Sequence, residues 1–592
     1  MNCERSVGEN GELLSVERKN ADISQEAINP GSNGLIGRPD PSGQVLPGGV
    51  HLHSLPRQIV TLTYLSERLP APLLSEQVAR SLAAETETAV VLVRLQPQRT
   101  TLATDNGALP EPFLNGEFHM PSALRKNQGG FYQLTLGVRS DPPTPAGIAS
   151  MVSHLSRHFR YVLIETLADN PPAPWLFELL LHSDLAYLFL QPTSESVHQL
   201  GLITRDARLR SRNRAAHLKP IACLAEGEKT EDLDLLAQRV ASPLHMFVRG
   251  CPPRSAVNND QTQLPASFCA DVRRVAREIG GRLVGLALSS GAAKGFAHVG
   301  VIQVLEENGI EVDVVAGASM GAYVGALWAH GCDGAELERL AREMEGRWAF
   351  WSLIDPVFPP RQGFLRGFGV KKRLMRTIGN SRFGDLQRPL RVVAANLATL
   401  ERVVFCGGEV ATAVHASSAV PGICVPIIID GEPFVDGGIV DPLPVTVLRE
   451  MGASRLIAVD VIPTPEQIRS GMEAERLLAQ QNGSGSPKLF RKAPTLDRQL
   501  NYFARGNLFE ILMRSVHGAQ IRMAEASCKL ADVVVHPDIC DDRWLDCRNP
   551  GKFIALGREA AIRHLDEIKA LVAKKEVTHE QELIPESVAS IA

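Results

Sequence analysis

Short apolar runs alternate with amphipathic stretches along the first half of this 592-residue chain. Between residues 57 and 258 the apolar runs have the length of strands, and the stretches that separate them, such as Ser75–Leu82 and Ile148–Arg157, have helical spacing. This alternation predicts a mostly parallel sheet that is covered by helices. The predicted strands are Ile59–Leu65, Ala89–Leu95, Tyr161–Glu165, Ala186–Leu190 and Pro220–Leu224.

The most informative stretch is a strand, a turn of small residues and a helix around one serine. Val312–Ala316 is the predicted strand, Ala322–His330 is the predicted helix, and Ser319 lies in the turn between them. A backbone that reverses this sharply while it exposes a hydroxyl has room only for small residues two positions on either side. This is the physical reason for G-x-S-x-G around a serine nucleophile. The residues of this elbow around Ser319 are Gly317, Ala318, Met320 and Gly321.

A second turn of small residues follows the predicted strand Leu283–Leu288. Its backbone N–H groups can converge on an anion at the start of the next helix, because no large side chain stands in the way. From the residues alone, a phosphate-binding loop or a close-packed strand–helix turn explains this stretch equally well. The loop comprises Ser290, Gly291, Ala292, Ala293, Lys294 and Gly295.

Together with a later Asp-Gly-Gly, the two turns resemble the catalytic core of the patatin-like phospholipases, in particular the bacterial and neuropathy-target-esterase-like branch. That family combines a G-G-G-x-[RK]-G loop, a G-x-S-x-G elbow and D-G-[GA], in this order. Here Ser290 and Ala292 replace family glycines, and Lys294 takes the Arg/Lys position. The resemblance covers about residues 281–565 and implies a three-layer α/β/α domain. Its third motif is Asp436, Gly437 and Gly438.

The resemblance implies a serine lipid acyl hydrolase that acts on a phospholipid or lysophospholipid. Ser319 is expected to be the nucleophile and Asp436 its base, and the Gly291–Gly295 loop is expected to form the oxyanion hole. No metal and no organic cofactor is expected. Two alternatives stay open: a triad that adds His536, as in α/β-hydrolases, and a catalytic role for His415, which stands where the family usually has Arg.

The region from 56 to 260 resembles a degenerate nucleotide-binding fold of the MinD/ParA type. The resemblance rests on RYVLIET, SDLAYLFLQPT and HLKPIACL, which are similar to the later strands of that fold. After the first strand, however, the chain has SERLPAPLLS in place of a P-loop, and no lysine occurs between Lys19 and Lys126. Because a P-loop needs its lysine to reach the phosphates, nucleotide binding is not expected. Glu165 is interpreted as a structural residue at a strand end.

Composition narrows the function classes further. A net charge of −4 gives no electrostatic support for nucleic-acid binding. The ten cysteines include no C-x-x-C pair, which indicates neither a zinc site nor a disulfide framework and favours a cytoplasmic protein. No apolar run approaches the length of a membrane span. Aromatic and basic residues mix in Arg347–Arg376, which suits a lid or a peripheral contact with the inner face of a membrane. A core-packing subdomain with a solvated basic helix explains this segment at least as well.

Four segments are predicted along the chain. Residues 1–55 are expected to be a disordered arm, 56–260 the smaller α/β domain, 261–572 the patatin-like domain, with a polar insertion at Glu466–Thr495, and 573–592 a tail. Two other functions stay open: a nucleotide-responsive switch and a non-catalytic lipid-binding scaffold. The missing P-loop lysine argues against the first, and the presence of both Ser319 and Asp436 argues against the second.

Overall fold

The computed structural model describes residues 57–97, 113–114, 117–118, 124–138, 143–210, 217–228, 244–254, 264–345, 355–359, 361–470, 473, 508–539 and 549–573. The predicted arm at 1–55, most of the predicted insertion and the tail after residue 573 lie outside these ranges, and so do 346–354 of the aromatic segment. Within the described residues, no helix is both long and apolar enough to cross a membrane.

The first part of the structure is a sheet with the order β10-β9-β8-β1-β7-β2-β6-β5. All neighbours pair in parallel except β5 and β6. The strands are β1 (Gln58–Tyr64), β2 (Val90–Pro97), β3 (Phe113–Leu114) and β4 (Glu117–Phe118), which form a separate hairpin, β5 (Arg125–Lys126), β6 (Tyr132–Val138), β7 (Tyr161–Leu167), β8 (Leu185–Leu190), β9 (Leu218–Cys223) and β10 (Met246–Val248). The helices are α1 (Ala71–Thr86), α2 (Pro145–His158), α3 (Pro174–His182) and α4 (Ser194–Arg210).

All five strands predicted in this part are confirmed, with ends shifted by at most two residues. The strand β6 was not predicted, because Gln133 and Thr135 interrupt its apolar run, and neither were the strands of two or three residues, β3, β4, β5 and β10. The mostly parallel sheet covered by helices is therefore confirmed.

The second sheet has the order β15-β16-β13-β12-β11-β17-β18, with β14 paired to β13. Its centre is parallel, and β14, β15 and β16 are antiparallel additions. The strands are β11 (Val284–Leu288), β12 (Val314–Ala318), β13 (Leu390–Asn396), β14 (Arg402–Phe405), β15 (Ile427–Ile429), β16 (Glu432–Asp436), β17 (Arg455–Val459) and β18 (Val533–Val535). The helices are α5 (Ala266–Ile279), α6 (Ala297–Glu307), α7 (Met320–His330), α8 (Gly334–Arg342), α9 (Phe368–Ile378), α10 (Val410–Ser417), α11 (Val445–Glu450), α12 (Leu508–Cys528), α13 (Pro550–Arg563) and α14 (Leu565–Val572).

Alternate residues of the central strands point into two different hydrophobic layers. Leu286 and Val315 belong to the layer that contains α6, α7 and α13. Ala287 and Val314 belong to the layer that contains α5 and α11. Because side chains alternate across a strand, the two layers cover opposite faces of the second sheet. This is the expected three-layer α/β/α arrangement.

The two sheets share one of these hydrophobic layers. The layer formed by α5 and α11 also includes Leu62 of β1 and Leu82 of α1, and all of these side chains are buried. At the edge of this contact, Arg273 of α5 bonds Glu85 of α1 at 2.6 Å. The helix α5 therefore serves both sheets, and burying it stabilises both together.

A buried carboxylate near the end of α5 adds an electrostatic link between the sheets. Glu278 contacts Lys219 of β9, and one of its oxygens lies 2.8 Å from Nε2 of His245, next to β10. Burial alone would raise the pKa of Glu278, but His245 and Lys219 outweigh it and lower the pKa to about 2. Because this value lies below that of the unfolded chain, the interaction stabilises the fold above pH 4.5 and is lost as the pH falls towards 2.

Replacing Glu278 by Gln should lower the free energy of unfolding by about 3 kcal/mol at neutral pH, because the half-buried ammonium of Lys219 loses its counter-charge. Chemical denaturation of the full chain measures this. The control is Glu336→Gln, which removes an exposed partner of Arg339 and should change stability by less than about 0.5 kcal/mol. Equal losses in the two variants would contradict the link.

Candidate active site

The predicted elbow around Ser319 is present in the structure, displaced slightly along the chain. The strand β12 ends at Ala318, the helix α7 begins at Met320, and Ser319 between them has a φ of 53°. A positive φ is strained for a residue with a side chain, and such strain is common where a reactive group must be exposed. Gly331, with a φ of 126°, ends α7.

The glycines of the elbow are required by close backbone contacts. A Cβ atom on Gly317 would lie 2.6 Å from the carbonyl carbon of Gly321. A Cβ atom on Gly321 would lie 2.2 Å from the carbonyl oxygen of Leu288, at the end of β11. Any side chain at either position would push α7 away from the sheet, so only glycine allows this turn.

The hydroxyl of Ser319 faces the carboxylate of Asp436. Oγ of Ser319 donates a hydrogen bond of 2.6 Å to Oδ2 of Asp436, and the backbone N–H of Gly438 donates one of 2.7 Å to Oδ1. Asp436 ends β16, and a Cβ atom on Gly437 would lie 2.1 Å from the carbonyl oxygen of Val393 in β13. The Asp-Gly-Gly motif therefore allows the chain to turn against the sheet while the carboxylate points at Ser319.

The surroundings of Asp436 change its acidity. Its side chain is buried, with 5% of the residue exposed. Burial raises the pKa of Asp436, the hydrogen bonds from Ser319 and Gly438 partly oppose this, and the pKa is about 6. The carboxylate is therefore a stronger base than an exposed aspartate, and it is still ionised at neutral pH.

The loop after β11 brings backbone N–H groups to the same place. In the described part of the chain, the N–H groups of Gly291, Ala292 and Ala293 donate to no acceptor, whereas that of Lys294 bonds the carbonyl of Gly291 at 3.1 Å. Ala292 has a φ of 46°, and the 3-10 turn Ala292–Phe296 follows. The loop thus offers three N–H groups at the start of a helical segment, which is a suitable geometry for an anion.

Close packing holds this loop against the elbow. A Cβ atom on Gly291 would lie 2.4 Å from a methyl of Val461, and one on Gly295 would lie 2.4 Å from Cγ of Met320. Lys294 is buried in the 3-10 turn. All residues of the predicted loop, elbow and Asp-Gly-Gly motif therefore meet at one edge of the second sheet, and their chemical roles remain predictions.

His536 and His415, the two alternatives for a further catalytic residue, bond neither Ser319 nor Asp436. Nε2 of His536 lies 3.1 Å from Gln467, and its Nδ1 lies 3.7 Å from Asp460. Nε2 of His415 donates to the carbonyl of Arg366 at 3.1 Å. Among the described residues, no histidine nitrogen lies within hydrogen-bond distance of the Ser319 hydroxyl.

Ser417, which was not predicted as a site residue, connects the elbow to β13. Its hydroxyl accepts a bond of 2.8 Å from the N–H of Ser319 and donates one of 2.6 Å to the carbonyl of Val393. Ser417 is completely buried. Its place in the A-S-x-x-x-P-G stretch at 416–422 is the signal that could have identified it.

His298 is a second residue that the analysis missed. It is fully buried in α6, and its Nε2 donates to the carbonyl of Ser289 at 2.9 Å. Burial lowers the pKa of His298 to about 4, although the bond to Ser289 partly opposes the shift. The neutral ring therefore ties the start of the loop to the helix that follows it.

Replacing Ser417 by Ala should lower the free energy of unfolding by about 1–3 kcal/mol, because it leaves the buried N–H of Ser319 without its acceptor. Urea denaturation of the full chain measures the change. Ser418→Ala is the matched control one residue along. If Ser417→Ala is as stable as Ser418→Ala, Ser417 does not support the elbow.

No three or more His, Cys, Asp or Glu side chains in the described ranges come together in a way that could hold a metal ion. Ser319 offers a hydroxyl, Asp436 offers a carboxylate, and the loop after β11 offers backbone N–H groups. This set can activate an oxygen nucleophile and stabilise an oxyanion.

Comparison with solved structures shows only weak similarity. VipD from Legionella pneumophila has a TM-score of 0.26 at 16% identity, over 48% of this chain and 67% of that chain. MinD from Aquifex aeolicus has a TM-score of 0.28 at 14% identity, over 38% of this chain and 97% of that chain. Both scores are too low to establish a shared fold.

Comparison with protein sequences is more informative. Lysophospholipase nte1 of Emericella nidulans is 34% identical over 195 residues, and NTE1 of Pyricularia oryzae is 32% identical over 197 residues. Each match covers 33% of this chain but only 13% of the relative. Residues 286–449 match the family model of the patatin-like phospholipases. Residues 286–449 therefore form a domain that is similar to the patatin-like phospholipases.

Proposed function

We propose that the protein is a carboxylic ester hydrolase that releases fatty acid from a lysophospholipid or phospholipid. The hydrogen bond of 2.6 Å from Ser319 to the buried carboxylate of Asp436 is the observation that carries the proposal. The two fungal relatives support the lipid class, because both are named lysophospholipases.

The first half of the proposed reaction is acylation of Ser319. Its Oγ attacks the ester carbonyl carbon while Asp436 accepts the hydroxyl proton. The N–H groups of Gly291, Ala292 and Ala293 donate to the oxyanion that forms, and the start of the adjoining helical segment adds a favourable dipole. When the C–O bond breaks, the proton on Asp436 passes to the leaving alcohol, which is the glycerophosphate part of the lipid.

The second half is hydrolysis of the acyl-enzyme. Asp436 accepts a proton from water, the resulting hydroxide attacks the acyl carbon, and the same N–H groups stabilise the second oxyanion. The proton then returns to Oγ of Ser319, and the fatty acid leaves. Each proton transfer uses Asp436 and Ser319, so this mechanism needs no metal or organic cofactor.

An aspartate can take the place of a histidine here because burial raises its pKa to about 6. A base is most effective when its pKa lies close to the working pH while it is still largely deprotonated. The buried Asp436 meets both conditions at neutral pH, which an exposed aspartate of lower pKa does not.

The first sheet is interpreted as a structural part of the enzyme. Arg94 of β2 bonds Glu165 of β7 at 2.9 Å, and it bonds Glu76 at 2.7 Å and the carbonyl of Pro72 at 2.9 Å in α1, the helix that follows β1. The guanidinium of Arg94 is therefore paired with oxygen atoms of the protein itself. These contacts support the expectation that this region binds no nucleotide and argue against a nucleotide-responsive switch.

The nucleophile can be tested with a fluorophosphonate probe, which reacts with activated serines. The wild-type chain should be labelled, and Ser319→Ala should not, because the hydroxyl bonded to Asp436 is gone. Ser418→Ala should be labelled as the wild type is. Labelling of Ser319→Ala would assign the reactive hydroxyl to another residue.

The pH dependence of lysophospholipid hydrolysis tests the base. Because Asp436 must be deprotonated to accept the proton, kcat/KM should rise with pH through about 6 and level off above it. Asp436→Asn should lose activity by about 10⁴-fold. His536→Ala and His415→Ala should stay within about tenfold of the wild type, since neither contacts the pair. A folded His536→Ala as inactive as Ser319→Ala would instead favour a triad.

A further inference from the structure

An aromatic hairpin precedes α9 and bonds the loop that follows α10. The hairpin is described at residues 356–359 and 361–365, where Pro356 pairs with Leu365 and the N–H of Val357 donates to the carbonyl of Phe364 at 2.9 Å. Phe358, near its tip, is 96% exposed. A phenylalanine this exposed is unfavourable in water, so the hairpin tip is a candidate contact surface.

The hairpin is attached firmly to the loop that follows α10. Phe364 and Leu365 both donate to the carbonyl of Ile423, at 2.8 and 2.9 Å, and Leu365 accepts from Val425 at 2.9 Å. A Cβ atom on Gly363 would lie 2.5 Å from the carbonyl carbon of Cys424. The exposed tip is therefore held out by a packed base.

The same loop connects the hairpin to the proposed pair. Asp436 donates its backbone N–H to the carbonyl of Ala419 at 2.9 Å, and Ile423 lies four residues further along that loop. On the other side, Val425 leads directly into β15, where Ile428 is 64% exposed. The loop from Ala419 to Val425 therefore connects the hairpin to the strand that carries Asp436.

Positive charge surrounds the hairpin. Lys371 and Arg373 are neutralised by Glu409 and Glu343. Four other cations of this segment are exposed and make no ion pair with a described carboxylate: Arg361, Arg366, Lys372 and Arg376. Asp355, the acidic residue beside them, is used to bond the N–H groups of Gly367 and Phe368 at the start of α9.

We propose that this surface, formed by Phe358, Phe368, Arg361, Arg366 and Lys372, docks on the face of an anionic phospholipid membrane. The aromatic side chains enter the interface, and the cations bind lipid phosphates. Phe368 is 54% exposed and begins α9, next to the hairpin. Docking there brings the bilayer to the side of the molecule whose loop, from Ala419 to Val425, bonds the backbone of Asp436. The inference rests on the proposed function for its biological purpose, but the binding itself does not.

The sheet edge next to the hairpin does not share this charge. Leu397 and Leu400, in the turn between β13 and β14, are also exposed, but Glu401 and Asp430 lie exposed in the neighbouring turns. An anionic surface repels these carboxylates. The contact is therefore assigned to the hairpin and the start of α9, and Leu400, which is 77% exposed, offers a matched control.

The test is co-sedimentation of the full chain with vesicles. All variants carry Ser319→Ala, so binding is measured without hydrolysis and independently of the proposed reaction. The parent should bind vesicles that contain about one-third phosphatidylglycerol more tightly than vesicles of phosphatidylcholine alone. Phe358→Ser and Arg361→Gln should each weaken binding to the anionic vesicles by about fivefold. Leu400→Ser should bind as the parent does.

Several outcomes would overturn the proposal. These are no binding to either vesicle, no preference for the anionic one, equal binding by the parent and both hairpin variants, or an equal loss in Leu400→Ser. A dimer of the parent that Phe358→Ser dissociates, seen by analytical ultracentrifugation, would assign the surface to a second copy of the chain. Circular dichroism and thermal unfolding of each variant establish that it is folded. Labelling of Ser319 in the wild-type chain tests the reaction separately.

Discussion

The hydrogen bond between Ser319 and Asp436 depends on two strand ends that the sequence separates by more than a hundred residues. The strand β12 carries Ser319 at its end, β16 carries Asp436, and β13 lies between them and pairs with both. The backbone of β13 also accepts the bond from Ser417, which in turn accepts from the N–H of Ser319. One strand therefore sets the position of the hydroxyl and of the carboxylate relative to each other.

The geometry of the Ser319–Asp436 site lowers the stability of the folded protein. Ser319 and Ala292 both have positive φ values, which are unfavourable for residues with a side chain. Burial raises the pKa of Asp436 above its value in the unfolded chain, so the ionised carboxylate destabilises the fold increasingly as the pH rises towards 6. The close packing of Gly291, Gly317 and Gly321 against the sheet opposes these unfavourable terms. The proposed activity needs the same burial and strain that reduce stability.

The first sheet contributes to this stability although it supplies no residue to the site. Its hydrophobic layer continues into the second sheet through α5, and the buried Glu278 of α5 bonds Lys219 and His245 of the first part of the structure. Arg391 of β13, which is buried, also bonds the carbonyl groups of Leu244 and His245 at 3.2 and 3.1 Å. The strand between Ser319 and Asp436 is thus held partly by the loop that leads into β10 of the first sheet.

The sequence by itself determined the local units of this protein. Apolar runs predicted the central strands of both sheets, and the small residues around Ser319 predicted a strand–turn–helix, because these features depend on contacts between residues close together in the chain. The order of three motifs was enough to indicate the family. It was not enough to decide between Asp436 alone and a triad with His536, since the sequence does not say which strand ends meet.

The tertiary structure decided the contacts between distant residues. It put Asp436 next to Ser319 and directed His536 to Gln467 and Asp460. It also showed that Ser417 bonds the N–H of Ser319, which lies 98 positions away in the chain. A single serine leaves no periodic pattern in the sequence from which this contact could be predicted. The tertiary structure also showed that Phe358 is exposed while other aromatic residues are buried. Exposure depends on how sheets and helices pack, and no local pattern of apolar residues encodes that.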